Sequence, residues 1–137
     1  MPKAEGKTFP FLTDSHIQPE FLETIPFTGE EKVTLLTREF NAVCPFSGLP
    51  DFGELQLEYV PDGKIIELKS FKYYLTSFRN IGIYQEMAAQ RIYRDFHKAV
   101  KPKQLYLKLT YNSRGGIDCV VEKGDPISVP PTLKGSK

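Results

Sequence analysis

The chain has 137 residues, with 18 Lys plus Arg against 17 Asp plus Glu, and 2 Cys. That length suits one domain with a real core, and the balance of charge excludes an overall positive field for a nucleic-acid backbone or an anionic membrane. No apolar run approaches the roughly 20 residues that span a bilayer, and two cysteines without a charged-then-apolar leader fit a reducing compartment, so a soluble cytoplasmic protein with neither a membrane nor a direct nucleic-acid partner is expected.

Residues 1–31 carry Pro2, Pro10, Pro19 and Pro26 without sustained periodicity, which predicts an extended N-terminal arm. A compact domain over 32–123 follows. Residues 33–43 are rich in Thr, Val, Leu and Phe and read as a strand, 45–53 as a turn-rich loop, and 54–60 as a cleanly alternating strand with Leu55, Leu57 and Tyr59 on one face. A turn at 61–64 leads to Ile65 and Ile66.

From Glu67 the period changes. Leu68, Phe71, Leu75 and Phe78 form the apolar stripe of a helix, with Lys69, Lys72, Tyr73 and Thr76 opposite. A second helix is expected over 83–100, with Tyr84, Met87, Ala88, Ile92 and Phe96 inward and Pro102 as its stop. Residues 105–111 and 116–121 are the last strands, joined by 112–115, and 124–137, with Pro126, Pro130 and Pro131, form a Pro-rich C-terminal tail. The order β-β-α-α-β-β predicts an α+β fold, an antiparallel sheet with both helices on one face.

Cys44 sits where a strand gives way to a Pro/Gly loop, and Asp51 lies across that loop, close enough in sequence for the carboxylate to fold back to the thiol. A thiol needs a base or positive charge nearby to act as a nucleophile; the plain alternative is a strand-end Cys and a turn-capping Asp. Glu67 and Glu86 bracket the first helix, as dipole-compensating residues or as anchors for the N–H/NH2 edge of a heterocycle. Lys69, Lys72 and Arg79 read as a solvated basic face or a phosphate site. Arg114-Gly115-Gly116 reads as a hairpin turn or an anion-binding loop. There is no Rossmann or P-loop glycine motif, and His16, His97, Cys44 and Cys119 do not stand at zinc spacing, so no metal is expected. Cys119, in an apolar strand, reads as a core residue.

Together these residues resemble the nitrile reductases of the QueF type, 7-cyano-7-deazaguanine reductase. Their C-P-x-[ST]-G-x-P-D-F loop is matched at 44–52, and their E-[SL]-K-[SA]-x-K-[LY]-[YFW] signature at 67–74. Residues 77–80 (SFRN) and Arg114-Gly115-Gly116 are similar to family segments as well, so the resemblance spans about 33–121.

The resemblance implies a tunnelling fold in which strands of several subunits form a barrel with active sites between subunits. The short single-module length is similar to the branch that assembles as a decamer of two pentamers. It implies NADPH-dependent reduction of the nitrile of 7-cyano-7-deazaguanine to the aminomethyl group, a step towards queuosine in tRNA. In that reading Cys44 forms a covalent thioimide and Asp51 exchanges protons. Ile66, Glu67, Leu68, Gln85 and Glu86 bind the deazapurine, and Lys69, Ser70, Lys72, Arg114 and Gly115 bind NADPH. One position departs: the family usually has His-Glu where this chain has Gln85-Glu86. Other readings are a QueF-like amidinotransferase and a non-catalytic deazapurine-binding module.

Overall fold

The structure, a computed structural model, describes residues 1–128. In chain order its elements are β1 (Thr24–Pro26), β2 (Val33–Val43), β3 (Pro50–Val60), β4 (Lys64–Ile66), α1 (Leu68–Thr76), α2 (Gln85–Val100), β5 (Gln104–Arg114) and β6 (Ile117–Lys123). The four long strands pair antiparallel in the order β2-β3-β5-β6, and β1 pairs with β4 in a small second sheet. The α+β order expected from the sequence is thus present, with two short strands added. No helix among the described residues is long and apolar enough to cross a membrane.

Alternation sets the two faces of the large sheet. Leu55, Leu57 and Tyr59 of β3 and Leu105, Leu107 and Leu109 of β5 turn to the helices and are buried, whereas Gln56, Glu58, Lys108 and Glu122 lie on the opposite face. Two irregularities change the parity. In β2 the register shifts between Thr37 and Phe40, so Val33 and Leu35 pack against the core on one side of the bulge and Phe40 and Ala42 on the other. In β5 a shift between Tyr111 and Arg114 acts in the same way.

Glu67 caps α1, its carboxylate accepting from the Lys69 and Ser70 N–H groups at 3.0 and 2.8 Å. The helix buries Phe71 and Tyr74, and Phe78, just past its end, is fully buried. Leu68 is exposed, contrary to expectation, because it borders a groove between α1 and β2 that none of the described residues fills. Tyr74, missed by the predicted stripe, donates to Asp95 Oδ2 at 2.7 Å, and Arg91 Nε donates to the same oxygen at 2.7 Å. Burial and the Asp95 charge push the Tyr74 hydroxyl far above its ordinary pKa, so it stays a donor.

In α2 the buried set is Gln85, Ala88, Ala89, Ile92, Asp95, Phe96 and Val100. Tyr84 and Met87, expected inward, are exposed: Tyr84 precedes the helix as its N-cap, and Met87 stands one residue, about 100°, off the Ala88 line. Edge-on ring contacts join the layers, with Tyr59 and Phe71 at 5.1 and 5.8 Å from Phe96 and Phe40 at 5.4 Å from Phe78.

The arm at 1–31 is not simply extended. It forms short 3-10 turns at Asp14–His16 and Pro19–Phe21 before β1, and Ile17 enters the core. Its backbone is tied down by bonds from Phe9 N to Ser47 O, Leu12 N to Asn80 O and Gly82 N to Leu12 O, at 2.7 to 2.9 Å. In the tail, Ile127 is buried and its N–H donates to Glu58; the residues from 129 onward, including Pro130 and Pro131, lie outside those described. Cys119 is half-buried on the edge strand β6 rather than a core residue.

Candidate active site

The Cys44 loop is shorter than expected. Strand β3 begins at Pro50, a position where a strand tolerates proline, so Asp51 is a strand residue paired with Ala42 rather than part of a loop. The hairpin is closed by Cys44 N to Leu49 O and Gly48 N to Cys44 O, both 2.9 Å. Gly48 has φ +75°, and a β-carbon there would lie 2.2 Å from the Phe9 carbonyl oxygen, so the arm and the loop fit together only with glycine at this position. Val43 N donates to Ile81 O and Ile83 N to Val43 O, which fixes the start of α2 beside the Cys44 loop.

Around Cys44 the chemistry converges. Partial burial pushes the thiol up, but hydrogen bonding from the Ser47 N–H and hydroxyl, the Phe46 N–H and the Arg114 guanidinium outweighs it and brings its pKa below the ordinary thiol value. Asp51 is shifted the other way: burial raises its pKa, and the nearby Arg114 charge only partly offsets that. Arg114 Nη1 lies 3.2 Å from Asp51 Oδ2. Without the bulge in β5, Arg114 and Tyr111 would point to opposite faces, so the irregularity is what brings the guanidinium to the carboxylate. The result is a thiol with a lowered pKa and a carboxyl group with a raised one, linked through Arg114.

The remaining expected residues fall into two groups. Glu86 is exposed in the first turn of α2, on the same side as the Cys44 loop. Gln85 is buried, and its amide nitrogen donates to Leu109 O and Cys119 O, both at 2.9 Å, so this side chain ties α2 to β5 and β6. Arg114 sits with Asp51, and Gly115 and Gly116 form the β5–β6 turn with open space around them. Ile66, Glu67, Leu68, Lys69, Ser70 and Lys72 form the second group, at the start of α1. They follow the far end of β3, and the strand carries the chain about 30 Å from Asp51 to Val60.

Ser70 is buried and structural, its hydroxyl donating to Glu67 O at 2.7 Å and accepting from Glu23 N at 3.0 Å. Lys69 borders a hollow of about 560 Å³ with Glu67, Ser70 and Tyr73, whereas Lys72 and Arg79 border the groove of about 710 Å³ between α1 and β2. Neither hollow is lined by Cys44, Asp51 or Glu86. Lys69, Lys72 and Arg79 have no carboxylate partner among the described residues, a donor set that fits the phosphates of a dinucleotide such as NADPH.

Two residues beside the Cys44–Arg114–Asp51 cluster were not among those expected from the sequence, Ser47 and Tyr111. Ser47 occupies the [ST] position of the loop pattern, a signal that was present. Tyr111, buried opposite Gly53, had none beyond its place at the end of a strand.

The chain is similar to known proteins over most of its length. A family model described as "QueF-like protein" matches residues 50–126. Proteins named NADPH-dependent 7-cyano-7-deazaguanine reductase from Thermotoga petrophila and Thermotoga maritima are each 52% identical over 126 residues, covering 90% of this chain and 92% of theirs. One with the same name from Caldicellulosiruptor bescii is 43% identical, covering 87% of this chain and 93% of its own. Among solved structures, the archaeosine synthase QueF-Like in its apo form matches with a TM-score of 0.60 and 32% identity, over 75% of this chain and 100% of that one.

Proposed function

The chain belongs to the QueF-like protein family, and we propose on that basis that it is an NADPH-dependent 7-cyano-7-deazaguanine reductase acting through a Cys44 thioimide. The observation that carries the mechanism is the Cys44–Arg114–Asp51 cluster, a thiol with a lowered pKa beside a carboxyl group with a raised one. The Cys44 sulfur adds to the nitrile carbon while Asp51 delivers a proton to the nitrile nitrogen, forming a C–S bond and leaving a C=N–H. Bound NADPH supplies the hydride equivalents. Cys44 then departs as a thiolate, and Asp51 returns protons to the nitrogen on the way to the amine. Glu86 accepts from the N–H/NH2 edge of the heterocycle, and the backbone at Ile66, Glu67 and Leu68 completes the pocket. Lys69 and Lys72 hold the cofactor's phosphates. The product is an intermediate for queuosine in tRNA, and two free thiols suit a reducing cytoplasm.

A homo-oligomer with shared sites is part of this reading. The two groups of site residues stand at opposite ends of β3, so a subunit presents the thiol half at one end and the lysine half at the other. Among the described residues, the outer edges of β2 and β6 have no neighbour in the large sheet. Exposed apolar residues flank both edges, Ile117 and Val120 on β6 and Leu36 and Leu68 on the β2 side, and Phe46 beside Cys44 is 82% exposed. Edge-to-edge addition of subunits into a barrel, as a decamer of two pentamers, covers these surfaces.

The likeness to an archaeosine synthase favours a second reading, in which an amine rather than hydride takes up the thioimide. Incubating the protein with 7-cyano-7-deazaguanine and NADPH and identifying the product by mass spectrometry separates them. Formation of the primary amine with NADPH oxidation is the expected result; NADPH left unoxidised beside a consumed nitrile supports the transferase.

A further inference from the structure

The Tyr111 hydroxyl is the one buried side-chain nitrogen or oxygen among the described residues that has no hydrogen-bond partner. The residue is 4% exposed. A buried hydroxyl without a partner is destabilising, so its persistence calls for a partner beyond the described residues. Its surroundings indicate which. Tyr111 pairs with Gly53, two residues along β3 from Asp51 and on the same face. The ring lies across Gly53, its Cδ1 being 2.5 Å from where a β-carbon would stand, and it stacks on Phe40 at 6.3 Å. The ring is therefore held in one place by packing. Three charged groups bear on its hydroxyl, Asp51, Arg114 and Glu86, and burial keeps it protonated, hence a donor.

We propose that the Tyr111 hydroxyl donates a hydrogen bond to the 6-oxo oxygen of the bound 7-deazaguanine and so selects a 6-oxo over a 6-amino heterocycle. The inference rests on the reductase reading and deepens it. On the heterocycle the 6-oxo oxygen lies between the nitrile-bearing carbon and the N1–H. Asp51 serves the nitrile and Glu86 the N1–H/NH2 edge, so a donor bordered by both meets the oxygen between them. Gln85 cannot take that part, since its amide nitrogen is engaged by Leu109 O and Cys119 O. A donor at position 111 also discriminates strongly, because a 6-amino group would set donor against donor in a buried site.

The test is Tyr111→Phe, which removes one oxygen and no protein hydrogen bond. Dissociation constants for 7-cyano-7-deazaguanine and for its 6-amino analogue are measured by titration on the Cys44→Ala background, so that no chemistry intervenes. Binding of the 6-oxo compound should weaken about ten- to a hundredfold, the 6-amino compound should change far less, and the melting temperature of the free variant should hold or rise. Equal affinity for the 6-oxo compound with and without the hydroxyl overturns the proposal alone. So does a marked fall in melting temperature, which would mean that the hydroxyl is already bonded within the protein. If the protein with Tyr111 intact does not bind 7-cyano-7-deazaguanine, the reductase reading fails and takes this inference with it.

Discussion

Arg114 reaches from the end of β5 to Asp51 on β3, Nη1 to Oδ2 across 3.2 Å, and the same guanidinium helps to lower the Cys44 pKa. One positive charge therefore serves both reacting groups. The competent state carries one proton between the thiol and the carboxyl, and activity falls when the pair is doubly protonated at low pH or fully deprotonated at high pH. Because burial raises the Asp51 pKa and the contacts of Cys44 lower the thiol's, the acid limb of kcat/KM should stand above the ordinary carboxylate range and the alkaline limb below the ordinary thiol range. Removing the charge in Arg114→Gln disfavours both anions, so both limbs should move to higher pH. Limbs that stay put in that variant would contradict the shared role. Asp51→Asn should lower kcat by about 10²–10⁴-fold.

Gly53 is required by its neighbour. A β-carbon there would stand 2.5 Å from Tyr111 Cδ1 and 3.0 Å from Thr110 O. Gly53→Ala should therefore displace the Tyr111 ring and cost about 1–3 kcal/mol in chemical denaturation, with a loss of substrate affinity. Unchanged stability would mean that the ring can move freely.

Much of the core was legible. The alternation at Leu55, Leu57 and Tyr59 and the line Ala88, Ile92, Phe96 reflect regular geometry, and regular geometry leaves a period in the sequence. The start of β3 was hidden because Pro50 and Gly53 carry turn composition, although a first strand position accepts proline and Gly53 makes room for an aromatic ring. Cys44 and Asp51 stood out by their spacing around a Pro/Gly loop. Arg114 stood out only as part of an anion-binding turn, and its pairing with Asp51 was hidden because it depends on a bulge, and bulges have no fixed signature. Gln85 could be read as facing substrate because its carbonyl partners on β5 and β6 are distant in sequence.

Buried Tyr74 and Asp95, together with partly buried Arg91, link α1 to α2. Asp95→Ala leaves two donors without their acceptor and should cost about 3 kcal/mol, whereas Tyr74→Phe should cost about 1 kcal/mol. Denaturant midpoints at one fixed protein concentration check both values, since assembly makes stability depend on concentration.

Sharing of the site between subunits has a signature in mixtures. Cys44→Ala and a Lys69→Glu, Lys72→Glu double variant should each be inactive alone. Reassembled together at equal amounts, they should regain about a quarter of the wild-type sites, the fraction in which an intact thiol half meets an intact lysine half. No recovery in demonstrably mixed assemblies would place both halves within one chain.

The covalent step is tested most directly by intact-protein mass spectrometry after incubation with 7-cyano-7-deazaguanine in the absence of NADPH. The account requires a mass gain equal to the whole nitrile, located on Cys44, absent in Cys44→Ala, retained in Cys119→Ala, and discharged as the amine when NADPH is added. Turnover of the nitrile to the amine by Cys44→Ala, or an adduct that maps to Cys119, would contradict it.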